Sequence, residues 1–151
     1  NRNISEAIYY GFEGGARYAL SAQLTVHGVV NYTFGQQQAN GVKDEGNRVP
    51  PLNGQFGVIY APSPAFTIEP YLFFADQQNR LDVADLADKR IDPRGTPGYA
   101  VANLRLGWEP AKQYRLQLTG NNLLDKNYRE HGSGIEGGAR GVAFTAEARF
   151  R

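Results

Sequence analysis

The 151-residue chain is predicted to be all-β, an antiparallel up-and-down meander of about seven strands. Three observations predict it. Apolar and polar residues alternate through most of the chain, and a strand sends successive side chains to opposite faces. The composition suits strands and turns, with 18 Gly, nine Tyr and eight Phe. Short connections alternate with long polar ones, the habit of a meander whose two ends differ.

The strands follow in order. In 5–20, Ile8, Tyr10, Phe12, Tyr18 and Leu20 oppose Glu13 and Arg17. In 23–35, Leu24, Val26, Val30, Tyr32 and Phe34 oppose Gln23, Thr25, His27, Asn31 and Thr33. In 52–61, Leu52, Phe56, Val58 and Tyr60 oppose Asn53 and Gln55. Segment 66–78 is less clean, because Tyr71 and Phe73 break the polar face. In 99–109, Ala100, Ala102, Leu104, Leu106 and Trp108 oppose Asn103, Arg105 and Glu109. In 114–121, Tyr114, Leu116 and Leu118 oppose Arg115, Gln117, Thr119 and Asn121. In 141–151, Val142, Phe144, Ala146, Ala148 and Phe150 oppose Thr145, Glu147 and Arg149. No segment reads as an amphipathic helix. "SA" (21–22), "PSPA" (62–65) and "PAKQ" (110–113) are turns; proline there ends a strand because it cannot donate to the ladder. The other connections, 35–50, 79–98 and about 129–140, are long and polar, which is uncommon inside compact water-soluble domains.

Composition narrows the function. The formal charge of +1 gives no electrostatic case for a nucleic-acid partner. Cysteine is absent, which excludes disulfides and thiolate metal sites. No apolar run approaches the ~20 residues of a spanning helix, and "NRNISEAIYY" lacks the basic start and apolar core of a secretory signal. A mean hydropathy of −0.50 suits a soluble protein, but barrel strands bury only alternate residues in lipid and score poorly on such averages. Length points the same way: about ten residues at ~3.3 Å rise, tilted ~40°, cover the ~25 Å apolar band of an outer-membrane barrel. A soluble sheet with one face on a core gives the same alternation. Loop asymmetry and strand length favour the barrel.

Read in order, several motifs resemble the C-terminal end of a TonB-dependent outer-membrane receptor. "YYGFEGGARYAL" (9–20) looks like that family's "GvE-x-x-x-x-Y" strand, and "RVPPLNGQFGVIYAP" (48–62) its proline-marked strand entry. "TPGYAVANLRLGW" (96–108) is similar to "pGY-x-x-x-(d/n)-l-r", and "LTGNNLLDKNYREH" (118–131) to "NLfDk-x-Y-x-x-h". "ARGVAFTAEARF" (139–150) resembles the "GR…F" ending. The sequence departs at Ala139, where glycine is common, at Ala148, where an aromatic often stands, and at Arg151, which follows the usual terminal aromatic.

The resemblance implies a segment of a 22-stranded transmembrane β-barrel in the outer membrane of a Gram-negative bacterium. Residues 1–151 would be its C-terminal part, without the plug domain and earlier strands. Short turns would be periplasmic and long loops extracellular. It implies uptake of a scarce solute, a ferric siderophore above all, driven by the TonB complex through the N-terminal part. Outer-membrane lipid and the assembly machinery would be further partners, with Phe150 as the C-terminal assembly signal. A soluble antiparallel β-sheet binding domain and a smaller outer-membrane barrel protein are the other readings.

No catalytic residues, metal or cofactors are expected. "GSGIEG" (132–137) satisfies a dinucleotide pattern but lies in a loop with no helix after it. Asp82, Asp85, Asp88 and Asp92 are spaced too widely for a calcium loop and are interleaved with Lys89, Arg90 and Arg94. The two histidines have no nucleophile set around them. By loop position, Arg80, Asp82, Arg90, Arg94, His131 and Arg140 are the candidate solute contacts, since cations suit an anionic chelate. Tyr10, Tyr32, Phe34, Trp108 and Tyr128 are the candidate interfacial aromatics. Asn122 and Asp125 are expected to bond backbone where a strand leaves the membrane.

Overall fold

A computed structural model describes residues 6–39 and 41–150. Arg151, Ser5 of the first expected strand and Asn40 of the first long loop lie outside the described residues. The chain forms β1 (Glu6–Ala19), β2 (Leu24–Ala39), β3 (Val42–Glu45), β4 (Asn53–Ser63), β5 (Phe66–Ala75), α1 (Val83–Ala87), β6 (Tyr99–Ala111), β7 (Tyr114–Asn121) and β8 (Gly141–Ala148). They build one antiparallel eight-stranded sheet in the order β1-β2-β4-β5-β6-β7-β8, with β3 folded back on β2. Among the described residues β1 and β8 each have a neighbour on one side only, so the sheet is open.

The alternation read from the sequence is kept in register across every ladder. Tyr18 pairs with Val26, Leu24 with Tyr60, Phe56 with Leu72, Ile68 with Leu106, Leu106 with Leu118, and Leu118 with Phe144. Even-numbered residues therefore share one face along the path β1-β2-β4-β5-β6-β7-β8; in β3 the parity is reversed, Gln36 pairing with Glu45. A slip of one residue anywhere would have turned a strand's apolar set over. The only shifts fall at the turn ends, beside Ser63 and Ala111. The turn between β1 and β2 is closed by Ser21, whose Oγ accepts from the amides of Gln23 (3.2 Å) and Leu24 (3.1 Å).

Among the described residues no second sheet covers the even face, and α1 has only five residues. Tyr10 (61%), Tyr18 (67%), Phe56 (52%), Trp108 (50%) and Phe144 (66%) stand exposed on it. Leu24, Leu104 and Leu116 are shielded only by neighbours in the same sheet. The buried residues gather instead at the end carrying the long loops: Val49, Ala75, Ile91 and Val101 with Gln78, Asp82, Asp85, Asn103 and Asn122.

Two local features differ from expectation. The stretch 35–50 is not all loop: β2 runs on to Ala39, and β3 pairs back through Gln36–Glu45 and Ala39–Val42. Its residues are polar on both faces, so backbone bonding holds the hairpin with no alternation to betray it. The loop after β5 also contains α1. Asp82 caps it, its Oδ1 accepting from the Asp85 amide at 2.7 Å.

Candidate functional site

The odd-numbered face is polar and internally bonded. His27 Nε2 lies 3.1 Å from Glu69 Oε1, and Arg105 donates to Glu69 Oε2 at 2.8 Å. The Arg105 guanidinium sits 5.0 Å from the Tyr71 ring centroid. Tyr71, which breaks the polar pattern in sequence, thus serves as the cation's apolar shelf. Gly57 makes room for His27, whose Nε2 would be 2.5 Å from a Cβ placed there. Arg105 and Glu69 pair through one guanidinium nitrogen, Nη1, where the sheet excludes much of the water, and the buried Nε of Arg105 has no partner among the described residues.

At the loop end three connections interlock. Asp82 is 2% exposed and receives Gln37 Nε2 (2.8 Å) and Asn47 Nδ2 (3.2 Å). Asp85 is fully buried, with Arg48 Nε at 3.5 Å from Oδ1, the Arg48 amide at 3.4 Å from Oδ2, and His131 Nε2 at 3.7 Å from Oδ2. The other His131 nitrogen, Nδ1, is 2.9 Å from Thr96 Oγ1. Arg48 also binds Asp88, which is paired with Arg90 as well. Gln78 Nε2 donates to the Val49 carbonyl at 2.6 Å, and Gln78 bridges Thr96 through backbone. Segments 46–52, 76–98 and 122–140 are thereby tied into one cap. Arg48 holds a left-handed backbone (φ 54°), a cost that this anchoring offsets. Asn122 completes the cap. Its Oδ1 accepts from the Lys126 amide (2.8 Å), and its Nδ2 donates to the carbonyls of Lys126 and Gly138, both at 2.9 Å.

The charges respond to this setting. Hydrogen bonds from Arg90 hold the Asp88 carboxyl well below its ordinary value, and those from Arg94 bring Asp92 down to about 2. Burial pushes His131 below its ordinary value of 6.5, against the pull of Asp85.

The cap shades a cavity of about 450 Å³ against the odd face, lined by Asn31, Asn53, Gln55, Phe73, Arg129 and His131 among others. Beside it lies a cleft of about 280 Å³ that combines Arg90, Lys126 and Arg129 with the carboxylates of Asp92 and Glu136 and the rings of Tyr99 and Tyr128; Arg129 is ion-paired with Glu136. Polar lining, aromatic shelves and mixed charges with a small cationic excess suit a non-covalent hold on a polar solute. The described residues contain no cluster of three metal-ligating side chains.

The six loop residues singled out by sequence are not one site. Asp82 and His131 lie in the cap, and Arg90 reaches both the cap, through Asp88, and the cleft. Arg94 pairs with Asp92 out in solvent. Arg140 pairs at 3.7 Å with Asp125, whose Oδ1 also accepts the Arg140 amide at 3.2 Å. The Arg80 guanidinium lies between the rings of Tyr32 and Phe34, centroid distances 5.5 and 5.4 Å, and does not join the cap. Among the aromatics, Tyr10 stacks on Phe34 at 4.9 Å, Tyr32 contacts Phe12 at 5.9 Å, and Trp108 stands on the even face. Tyr128 departs from the outward placement expected of it. Its ring packs on Phe73 (5.6 Å) and Tyr99 (4.6 Å), both odd-face residues, because the chain leaving β7 folds inward over the sheet. Sequence reasoning missed Arg48 and Asp85. The spacing Asp82-x-x-Asp85, with Asp82 just before "VADLA" and Asp85 inside it, is a capping pattern that flags Asp85; nothing local flags Arg48.

One open sheet with an uncovered apolar face, a bonded polar face and its long loops at one end has the organisation of a segment of a large β-barrel. The chain belongs to the family described as TonB dependent receptor-like, beta-barrel, whose model matches residues 1–123; members of that family are transporters, not enzymes. Solved structures with the same fold include a copper transporter, OprC (TM-score 0.83, 22% identity), which this chain covers over 23% of its length with 95% of its own. The ferric-catecholate import receptor Fiu from E. coli K12 follows (TM-score 0.68, 19% identity; 95% of this chain, 21% of that one). The ferric yersiniabactin uptake receptor FyuA from Yersinia pestis is also similar (TM-score 0.61, 15% identity; 95% and 24%). The chain thus spans about a quarter or less of those proteins. A search of curated proteins found no match.

Proposed function

We propose that these residues form the C-terminal part of the wall of an outer-membrane receptor that takes up a scarce solute under TonB coupling. The observation that carries this is the unbroken even-numbered apolar face with no second layer over it. Exposed apolar surface on that scale needs lipid or a partner. The order of "NNLLDKNY" and "ARGVAFTAEARF" along the chain supports a place near the barrel's end, and Phe150, 87% exposed, supports the assembly role. The two bare edges, β1 and β8, would be paired by the remaining strands of a 22-stranded barrel.

The loop end would face outward. β2, 16 residues at ~3.3 Å each, exceeds an apolar band of ~25 Å even when tilted, so its upper part and β3 would stand clear of the membrane. The solute we favour is an anionic ferric chelate. The cleft with Arg90, Lys126, Arg129, Tyr99 and Tyr128 supports that class, and two of the similar receptors are named for the uptake of ferric chelates. The copper transporter keeps copper as the second reading.

The test is uptake of an iron-55 chelate and of copper-64 by cells that have the complete receptor as their sole importer. Iron uptake that stops when TonB is deleted is expected. A purified protein that stays monomeric and dispersed without detergent would refute the membrane placement, and copper uptake alone would replace the solute.

A further inference from the structure

We propose that the outward face of β1, β2 and β4 is a binding site for one phosphate-bearing lipid, with Arg80 on the phosphate and an acyl chain in a glycine-floored furrow below it. The inference rests on the membrane reading above. Among the loop arginines 48, 80, 90, 94, 129 and 140, only Arg80 has no carboxylate partner among the described residues. Its guanidinium uses NH2 on the Thr33 carbonyl (3.2 Å) and NH1 weakly on the Tyr32 hydroxyl (3.5 Å). A guanidinium has five N–H donors, so most of its capacity stays open. It sits against Tyr32 and Phe34, even-face rings that pack on Phe12 and Tyr10. A solute-binding arginine would point over the odd face; this one lies against rings of the even face, the side that the membrane reading gives to lipid.

Directly beneath that aromatic tier the even face drops away. Gly14 pairs with Val30 and Ala16 with Gly28, and Gly28 pairs on its other side with Phe56. The result is an almost wholly apolar furrow of about 520 Å³, with Gly14, Ala16 and Gly28 as floor and Tyr18, Phe56 and Phe74 among its walls. Val30, at its rim, is two residues from Tyr32, or ~7 Å along the strand. A cation above an apolar furrow matches a headgroup phosphate above its chain, and a bare phosphate would leave the furrow empty. Arg is suited to phosphate because its fork donates two parallel bonds.

Gly14 allows a clean test, since a Cβ added there meets nothing within 4 Å. The complete receptor in detergent is titrated with dioleoylphosphatidylglycerol, with dioleoylglycerol of the same chains, and with inorganic phosphate, and bound adducts are counted by native mass spectrometry. One saturable phosphatidylglycerol is expected. Arg80→Gln should weaken it about fivefold, with Arg80→Lys retaining most of the affinity. Gly14→Leu should weaken it about tenfold by filling the furrow. Equal binding of the two lipids, displacement by inorganic phosphate, or parental affinity in both Arg80→Gln and Gly14→Leu would overturn the proposal. Ferric-chelate uptake by Arg80→Gln cells should stay at the parental level, so a lipid result that fails leaves the importer reading standing. Failure of the parent receptor to insert in membranes would defeat the importer reading itself.

Discussion

Replacing Asp85 by Ala should open the loop cap without unfolding the sheet. Asp85 is fully buried and is the one carboxylate met by both Arg48 and His131, which reach it from the other two loop segments. Breaking a buried pair by removing one partner costs ~3–5 kcal/mol. That figure needs discounting here, because Arg48 is 41% exposed and keeps Asp88. The hydrogen bond that the Arg48 amide would forfeit is also long, at 3.4 Å. About 2 kcal/mol remains, counting the stranded partners, or roughly 30-fold in the opening equilibrium. Hydrogen exchange read by mass spectrometry on the complete receptor measures that equilibrium locally. Amides held inside the cap, those of Leu86, Ile91 and Gly95, should exchange ~10–100-fold faster, while the β5–β6 ladder stays unchanged. Asp85→Asn, which keeps the volume and can still accept from the Arg48 amide, should fall between parent and Asp85→Ala. A change below about threefold in the loop amides would show that the charges do not hold the cap, and equal acceleration of the ladder would show that Asp85 supports the whole sheet.

Further outcomes follow from the same geometry. Because burial lowers the His131 pKa when the cap is closed, its contribution is complete above pH 6.5. As pH falls below that value the opened loop takes the proton first, and the stabilisation declines until the closed-state pKa is passed. Loop exchange should therefore quicken from pH 7.5 to 5.5, and His131→Gln should flatten the profile; an unchanged slope in that variant would assign the effect elsewhere. Phe144→Arg places a charge on the even face and should cost ~2–4 kcal/mol if it lies at the bilayer midplane. Thr145→Arg, one residue away on the odd face, should be nearly neutral, so equal folding yields in lipid for the two would refute the face assignment. Arg90→Ser with Arg129→Ser should raise the KM for ferric-chelate uptake about tenfold by removing two cations from the cleft, with unchanged receptor levels on immunoblots. A change in maximal rate alone would move the solute away from this cleft.

How much was legible differs by residue. Leu24, Leu104, Leu116 and Phe144 could be assigned to one face from their spacing, since a period of two is a property of the extended backbone and needs no partner. The aromatics at even positions followed for the same reason. Tyr128 did not, because it lies past the last ladder pair of β7, where parity no longer constrains direction. The β2–β3 hairpin was hidden by having polar residues on both sides. Of the loop residues chosen by charge, Asp82, Arg90 and His131 reach the cap or the cleft, Arg140 pairs with Asp125 close by, and Arg80 goes to two aromatic rings, partners that charge alone does not indicate.

Sequence by itself determined the seven long strands, their faces and the end at which the long loops collect, because alternation and turn residues are local or nearly so. Only the tertiary structure decided which loop side chains meet. Arg48 is 37 positions from Asp85 and His131 is 46, and such distant partners are set by how three loop segments close over the sheet. It also decided that the apolar face goes uncovered, since alternation alone is the same whether water is excluded by a second layer of protein or by lipid.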